Sequence, residues 1–91
     1  MEKVFEWNQE KNQKLIEERG VSFEAIVSSI ETKGLIGIAQ GSGKFKDQER
    51  FIVEVKSYIY IVPFVEDPDK IFLKTIIPSR KLTKKYLTGG D

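Results

Sequence analysis

The hydrophobic period changes from helical to alternating at Gly34. Before it, Phe23, Ile26, Val27 and Ile30 recur at the i, i+3, i+4, i+7 spacing of one helical face. After it, Arg50 to Val55 alternates, with Phe51, Val53 and Val55 on one side and Ile52 and Glu54 on the other. Helices that come first, followed by strands joined through short turns, imply an α+β domain with the helices on one face of an antiparallel sheet. A chain of 91 residues holds one such core, so residues 1–91 read as a single domain.

The local signals place the elements. Lys3 to Trp7 alternates weakly and reads as a short strand. Asn8 can accept from the free amides of a following helix over Gln9 to Arg19, and Gly20 supplies a left-handed stop. The apolar stripe of that helix is thin, mainly Leu15 and Ile16. Ser22 caps a second helix that buries more. Leu35, Ile36 and Ile38 mark a strand, and Gly41 to Asp47 a loop. Lys56-Ser57 has the length of a hairpin turn without Asn-Gly chemistry. Tyr58 to Val65 is apolar on both faces, as in a strand covered on both sides, and Pro63 puts its far end at a bulge or an edge. Lys70 to Ile77 reads as one more strand, ended by Pro78. Ile71, Leu73, Thr75 and Ile77 share one face of it; Lys70, Phe72, Lys74 and Ile76 share the other. A short helix over Arg80 to Leu87 closes the domain. Trp7 reads as a core anchor, and Tyr58 and Tyr60 as core or as a stacking surface.

Composition removes much chemistry. The chain has no His and no Cys, which excludes a histidine base, a cysteine nucleophile, the usual zinc sites and disulfides. No apolar run approaches the ~20 residues of a membrane helix, and the N-terminus has no signal core; a cytoplasmic protein without cofactor or metal is expected. Gly41-Ser42-Gly43-Lys44 is half of a phosphate loop, with Ile38 and Phe45 where the full pattern needs Gly and Ser or Thr. Glu17-Glu18 and Glu66-Asp67-Asp69 lack calcium-loop spacing.

The net charge of +1 conceals a polarised molecule. Residues 1–69 carry nine basic and thirteen acidic side chains; residues 70–91 carry six basic and one acidic. At about 100° per residue, Arg80, Lys81, Lys84 and Lys85 fall within one arc of about 140°, opposite Leu82, Thr83, Tyr86 and Leu87. Such an arc is either a solvated helix face or a phosphate-binding surface. Lys70, Phe72 and Lys74, an aromatic among cations, fit single-stranded RNA, where bases stack and phosphates pair.

Four blocks, Phe5-Glu6-Trp7-Asn8 with Lys11-Asn12, Gly20-Val21-Ser22-Phe23-Glu24, Glu49-Arg50-Phe51, and Ile76-Ile77-Pro78-Ser79-Arg80-Lys81, resemble the BrnT group of type II toxins in order and spacing. Arg19 stands where that family usually has His. Pro78-Ser79-Arg80 replaces its Ser-Ala-Arg, and its basic residue before the paired Ile is Thr75 here, with Lys74 one place earlier. The resemblance implies a RelE-like fold and a ribonuclease that inhibits translation. It also implies a cognate antitoxin, often with a ribbon-helix-helix DNA-binding part, through which alone the pair reaches operator DNA.

Without histidine, cleavage by the RNA's own 2′-hydroxyl would rest on charge. Arg80 is the first choice to stabilise the phosphate, since its fork matches phosphate oxygens and stays protonated; Arg50 is second. Lys74, Glu49 or Tyr86 would move the proton. Lys81, Lys84 and Lys85, with Lys70 and Phe72, would hold flanking RNA, and no metal is required. Two alternatives use the same basic face: a non-catalytic module binding RNA or an acidic protein, and a topoisomerase-poisoning toxin of the same fold.

Overall fold

The computed structural model describes residues 3–40 and 48–87. The loop expected over Gly41 to Asp47, with its half phosphate-loop pattern, and the C-terminal tail lie outside the described residues. The elements are β1 (Val4–Glu6), α1 (Gln9–Arg19), α2 (Phe23–Glu31), β2 (Leu35–Gln40), β3 (Glu49–Val55), β4 (Tyr58–Glu66), β5 (Lys70–Leu73), β6 (Ile77–Pro78) and α3 (Arg80–Leu87). They form an α+β fold with an open, mixed sheet in the order β1-β5-β4-β3-β2, and β6 pairs with β4.

The helix boundaries follow from local chemistry. Asn8 Oδ1 accepts from the Lys11 N–H at 2.8 Å, and Gly20 ends α1 at φ 70°. The Ser22 hydroxyl accepts from the Ala25 N–H at 3.0 Å. Asn12 of α1, 3% exposed, joins the two helices: its Oδ1 accepts from the Phe23 N–H, and its Nδ2 donates to Glu24 Oε1, both at 2.8 Å. Leu15, Val21, Phe23 and Ile26 then meet Phe51, Val53, Val62, Phe64 and Leu73 in one core. Trp7 stacks on Phe23 with ring centroids 5.7 Å apart, and Tyr60 packs at the margin of the core.

Three expectations need correction. The sheet is not wholly antiparallel, because β1 runs parallel to β5, with Phe5 opposite Ile71. Short turns dictate antiparallel pairing only between consecutive strands. β1 reaches its neighbour after most of the chain has folded between them.

The expected strand from Lys70 to Ile77 is two segments. The Lys74 N–H donates to the Pro63 carbonyl at 2.9 Å, but proline has no N–H to return the second bond of that pair. The ladder stops there and resumes one residue out of register: Leu73 faces Phe64, whereas Ile77 faces Ile61. The extra residue is a bulge, and it reverses side-chain parity beyond it. Ile76 is therefore fully buried in the core, while Ile77 is 42% exposed, and Pro78 continues β6 instead of ending the strand.

The helices also do not share one face. Ile59 alternates with the core-facing Val62 and Phe64 along β4, is fully buried, and lies outside their cluster. α3 contacts β4 at this point and so covers the start of the opposite face. Among the described residues no helix covers the rest of that face, where Val65 and Phe72 are exposed.

Candidate nucleic-acid interface

α3 is fastened to the sheet by two hydrogen bonds to Ile59, and two more order its first turn. The Ser79 N–H donates to the Ile59 carbonyl at 3.0 Å, extending the β6 ladder by one step. The next ladder bond is taken over by Thr83, whose hydroxyl accepts from the Ile59 N–H and donates to the Ser79 carbonyl, each at 2.8 Å. The Ser79 hydroxyl accepts from the Leu82 N–H at 3.1 Å and starts the helix. With Leu82, Thr83 and Leu87 half-buried, Arg80, Lys81, Lys84 and Lys85 all face outward. Tyr86 lies on neither side cleanly: it is 48% exposed, and Lys85 Nζ sits 5.5 Å from its ring centroid.

Arg50 stands on the sheet face that α3 covers at its other end. It is half-buried opposite Ala39 and Pro63, and with Gln48, Pro63 and Ile77 it lines a groove of about 250 Å³. Pro63 is four residues from Ile59, roughly 13 Å along a strand. Glu49, the preceding residue, points to the other face, as strand geometry requires. It lines a separate cavity of about 580 Å³ with Lys3, Phe64, Glu66 and Asp67.

Lys74 and Phe72 belong to a third place. Lys74 has left β5 and is exposed, and with Phe72 it borders a groove of about 390 Å³ completed by Asn8, Glu10, Lys11 and Lys14 of the α1 region. Lys70, on the same strand face as Phe72, has Nζ 3.8 Å from Glu6 Oε1. The proposed site residues thus form an outward cation arc on α3, Arg50 farther along the same sheet face, and a lysine-rich groove around Phe72. Glu49 is not brought to any of them. Lys11 and Lys14 were missed by sequence reasoning. Their i, i+3 spacing was visible, but only the docking of α1 beside β5 gives it a partner. Among the described residues, no group of three or more carboxylates is placed to hold a metal ion, and no helix is long and apolar enough to cross a membrane.

No protein-family model, curated protein or solved structure matches the chain. The residues that carry the BrnT resemblance do touch one another. Trp7 stacks on Phe23, Asn12 bonds Phe23 and Glu24, and Phe5 meets Phe51 edge-on at 6.2 Å. Arg19 donates to the Ile76 carbonyl. Every one of these contacts serves folding, so they explain the pattern as architecture before any chemistry.

Proposed function

We propose that the chain is a RelE-like endoribonuclease toxin of the BrnT kind, held in check by a cognate antitoxin and inhibiting translation when released. The observation that carries this reading is the outward cation arc of α3, with Arg50 farther along the sheet face that α3 covers at one end. An RNA strand lying along that face would meet guanidinium groups from two elements, one phosphate after another. Attack by the 2′-hydroxyl adds negative charge to the phosphorus oxygens, and preorganised donors aimed at that charge supply most of the catalysis. Arg80 takes this role, with Arg50 the second choice, while Lys81, Lys84 and Lys85 hold the adjoining backbone. Tyr86 is the proton-transfer candidate that shares an element with Arg80.

The dispersal of Glu49 and Lys74 away from Arg80 favours a second reading, a non-catalytic module whose basic helix binds RNA or an acidic protein. Purified protein incubated with end-labelled RNA, with and without chelator, separates the two. The nuclease reading expects cleavage that survives chelation and is lost in Arg80→Ala, with Tyr86→Phe impaired and both variants folded. Intact RNA together with tight RNA or antitoxin binding leaves the second reading; cleavage undiminished in Arg80→Ala removes Arg80 from the site.

A further inference from the structure

The groove around Phe72 is charged differently from its surroundings. Lys11 and Lys14, at i, i+3 on α1, line it together with Lys74 from the bulge after β5 and Phe72, which is 37% exposed. Among the described residues no ion pair engages any of these three lysines, although Glu10 lies in the same groove. Lys70 and Lys3, by contrast, are paired with Glu6 and Glu66. Three cations around one depression attract an anion. The aromatic floor narrows the choice of anion: an acidic peptide would use the charges and ignore the ring, whereas a nucleotide uses both.

We propose that this groove seats a nucleotide of single-stranded RNA, with its base against Phe72 and the flanking phosphates on Lys11, Lys14 and Lys74. The proposal rests on the nucleic-acid reading of α3 and extends it to the opposite end of the same sheet face. Phe72 is paired with Val65, and Arg50 with Pro63. Val65, Pro63 and Ile59 alternate along one side of β4. A strand held by α3 would cross Arg50 and reach Phe72 without leaving that face, so the groove fixes the register of the RNA relative to Arg80.

The test uses a fully 2′-O-methyl oligoribonucleotide, which lacks the attacking hydroxyl and reports binding without cleavage. Its affinity is measured by fluorescence anisotropy over a salt series. Each neutralised phosphate contributes about 0.7 to the slope of log K against log salt for single strands. The triple variant Lys11→Gln, Lys14→Gln, Lys74→Gln is expected to lower that slope by about 2. Phe72→Ala and Phe72→Leu are expected to weaken binding roughly tenfold or more at every salt, with the slope unchanged. All four positions are exposed, so unaltered circular dichroism certifies the variants.

A slope that falls while both Phe72 variants bind normally, with polyglutamate competing equally well, overturns the nucleotide in favour of an acidic peptide. Binding that depends on α3 alone, or no binding by the wild type, also overturns the groove. Uncleaved natural RNA with groove-dependent binding of the probe would remove the nuclease and keep the groove; cleavage with groove-independent binding would do the reverse.

Discussion

Replacing Asn12 by alanine should be among the most damaging single changes at a polar residue of this fold. The side chain is 3% exposed, and both of its polar ends are used, at 2.8 Å to the Phe23 N–H and 2.8 Å to Glu24. Phe23 opens α2, so its N–H has no partner within the helix, and the Ser22 hydroxyl is already bonded to the Ala25 N–H. Alanine leaves a buried donor unsatisfied, at a cost of about 1–3 kcal/mol. The bond to Glu24 adds about 1 kcal/mol, because that carboxylate is exposed and can turn to water. Together these come to about 2–4 kcal/mol, against a total stability of about 5–14 kcal/mol for a chain of this length. At about 4–8 °C per kcal/mol for a small domain, the melting temperature should fall by roughly 8–32 °C.

Urea unfolding monitored by tryptophan fluorescence measures this directly, since Trp7 stacks on Phe23 and reports the same junction. An unchanged m-value would certify that the denatured state is unaffected. Asn12→Asp retains the acceptor for Phe23 but sets a carboxylate against Glu24; adding Glu24→Gln should recover part of its loss. An Asn12→Ala protein within about 0.5 kcal/mol of the wild type would refute the reasoning, because it would mean that water reaches the Phe23 N–H.

Thr83→Val conserves shape but strands the N–H of the fully buried Ile59 and should cost about 1–3 kcal/mol; chemical denaturation checks this, and a neutral result would show that α3 is not fastened by that hydroxyl. The β3–β4 hairpin turns through Lys56 at φ 52° and Ser57 at φ 64°, left-handed conformations that favour Asn-Gly, so the pair Lys56→Asn, Ser57→Gly should stabilise by about 0.5–1 kcal/mol in a thermal melt. Gly34→Ala should destabilise clearly, since a methyl there would lie 2.7 Å from the Glu54 carbonyl oxygen and closer still to the Ser29 hydroxyl; wild-type melting would show that the α2–β2 turn can open without cost.

The sequence was most legible where one residue type answers one local need. Asn8, Gly20 and Ser22 mark the ends of α1 and α2 because caps are decided within four residues of chain. The alternation of Phe51, Val53 and Val55 likewise assigns a face without knowledge of the partner strand. Legibility failed wherever a distant strand set the outcome. β1 carries no mark that its neighbour is Lys70 to Phe72 in parallel. Ile76 and Ile77 exchange burial because of a proline thirteen residues earlier, which no periodicity within 70–77 could reveal. The site was legible as composition, in the cations of α3, but not as placement. Glu49 and Arg50, neighbours in one sequence block, face opposite sides of the sheet.

Pro63 is the residue that divides the basic C-terminal segment in two. Had position 63 offered an N–H, the ladder begun at Glu66 and Ile71 could have run on unbroken through Lys74. Lys74 would then have stayed in strand parity with Phe72, and Ile76 with both of them on the open face. The single missing donor ends that run, turns Ile76 into the core where Arg19 meets its carbonyl, and frees Lys74 toward Lys11 and Lys14. It also resets the register so that Ser79 reaches Ile59 and α3 begins where Thr83 can close the ladder. The positive charge that accumulates after Lys70 is thus delivered to two places, α3 at one end of the open sheet face and Lys74 beside α1, with Arg50 between them opposite Pro63 itself. A fold that only had to keep its lysines in water would not need two such clusters with an arginine between them. A surface that tracks an extended polyanion does, because phosphates recur along the strand and each end of the track must meet one.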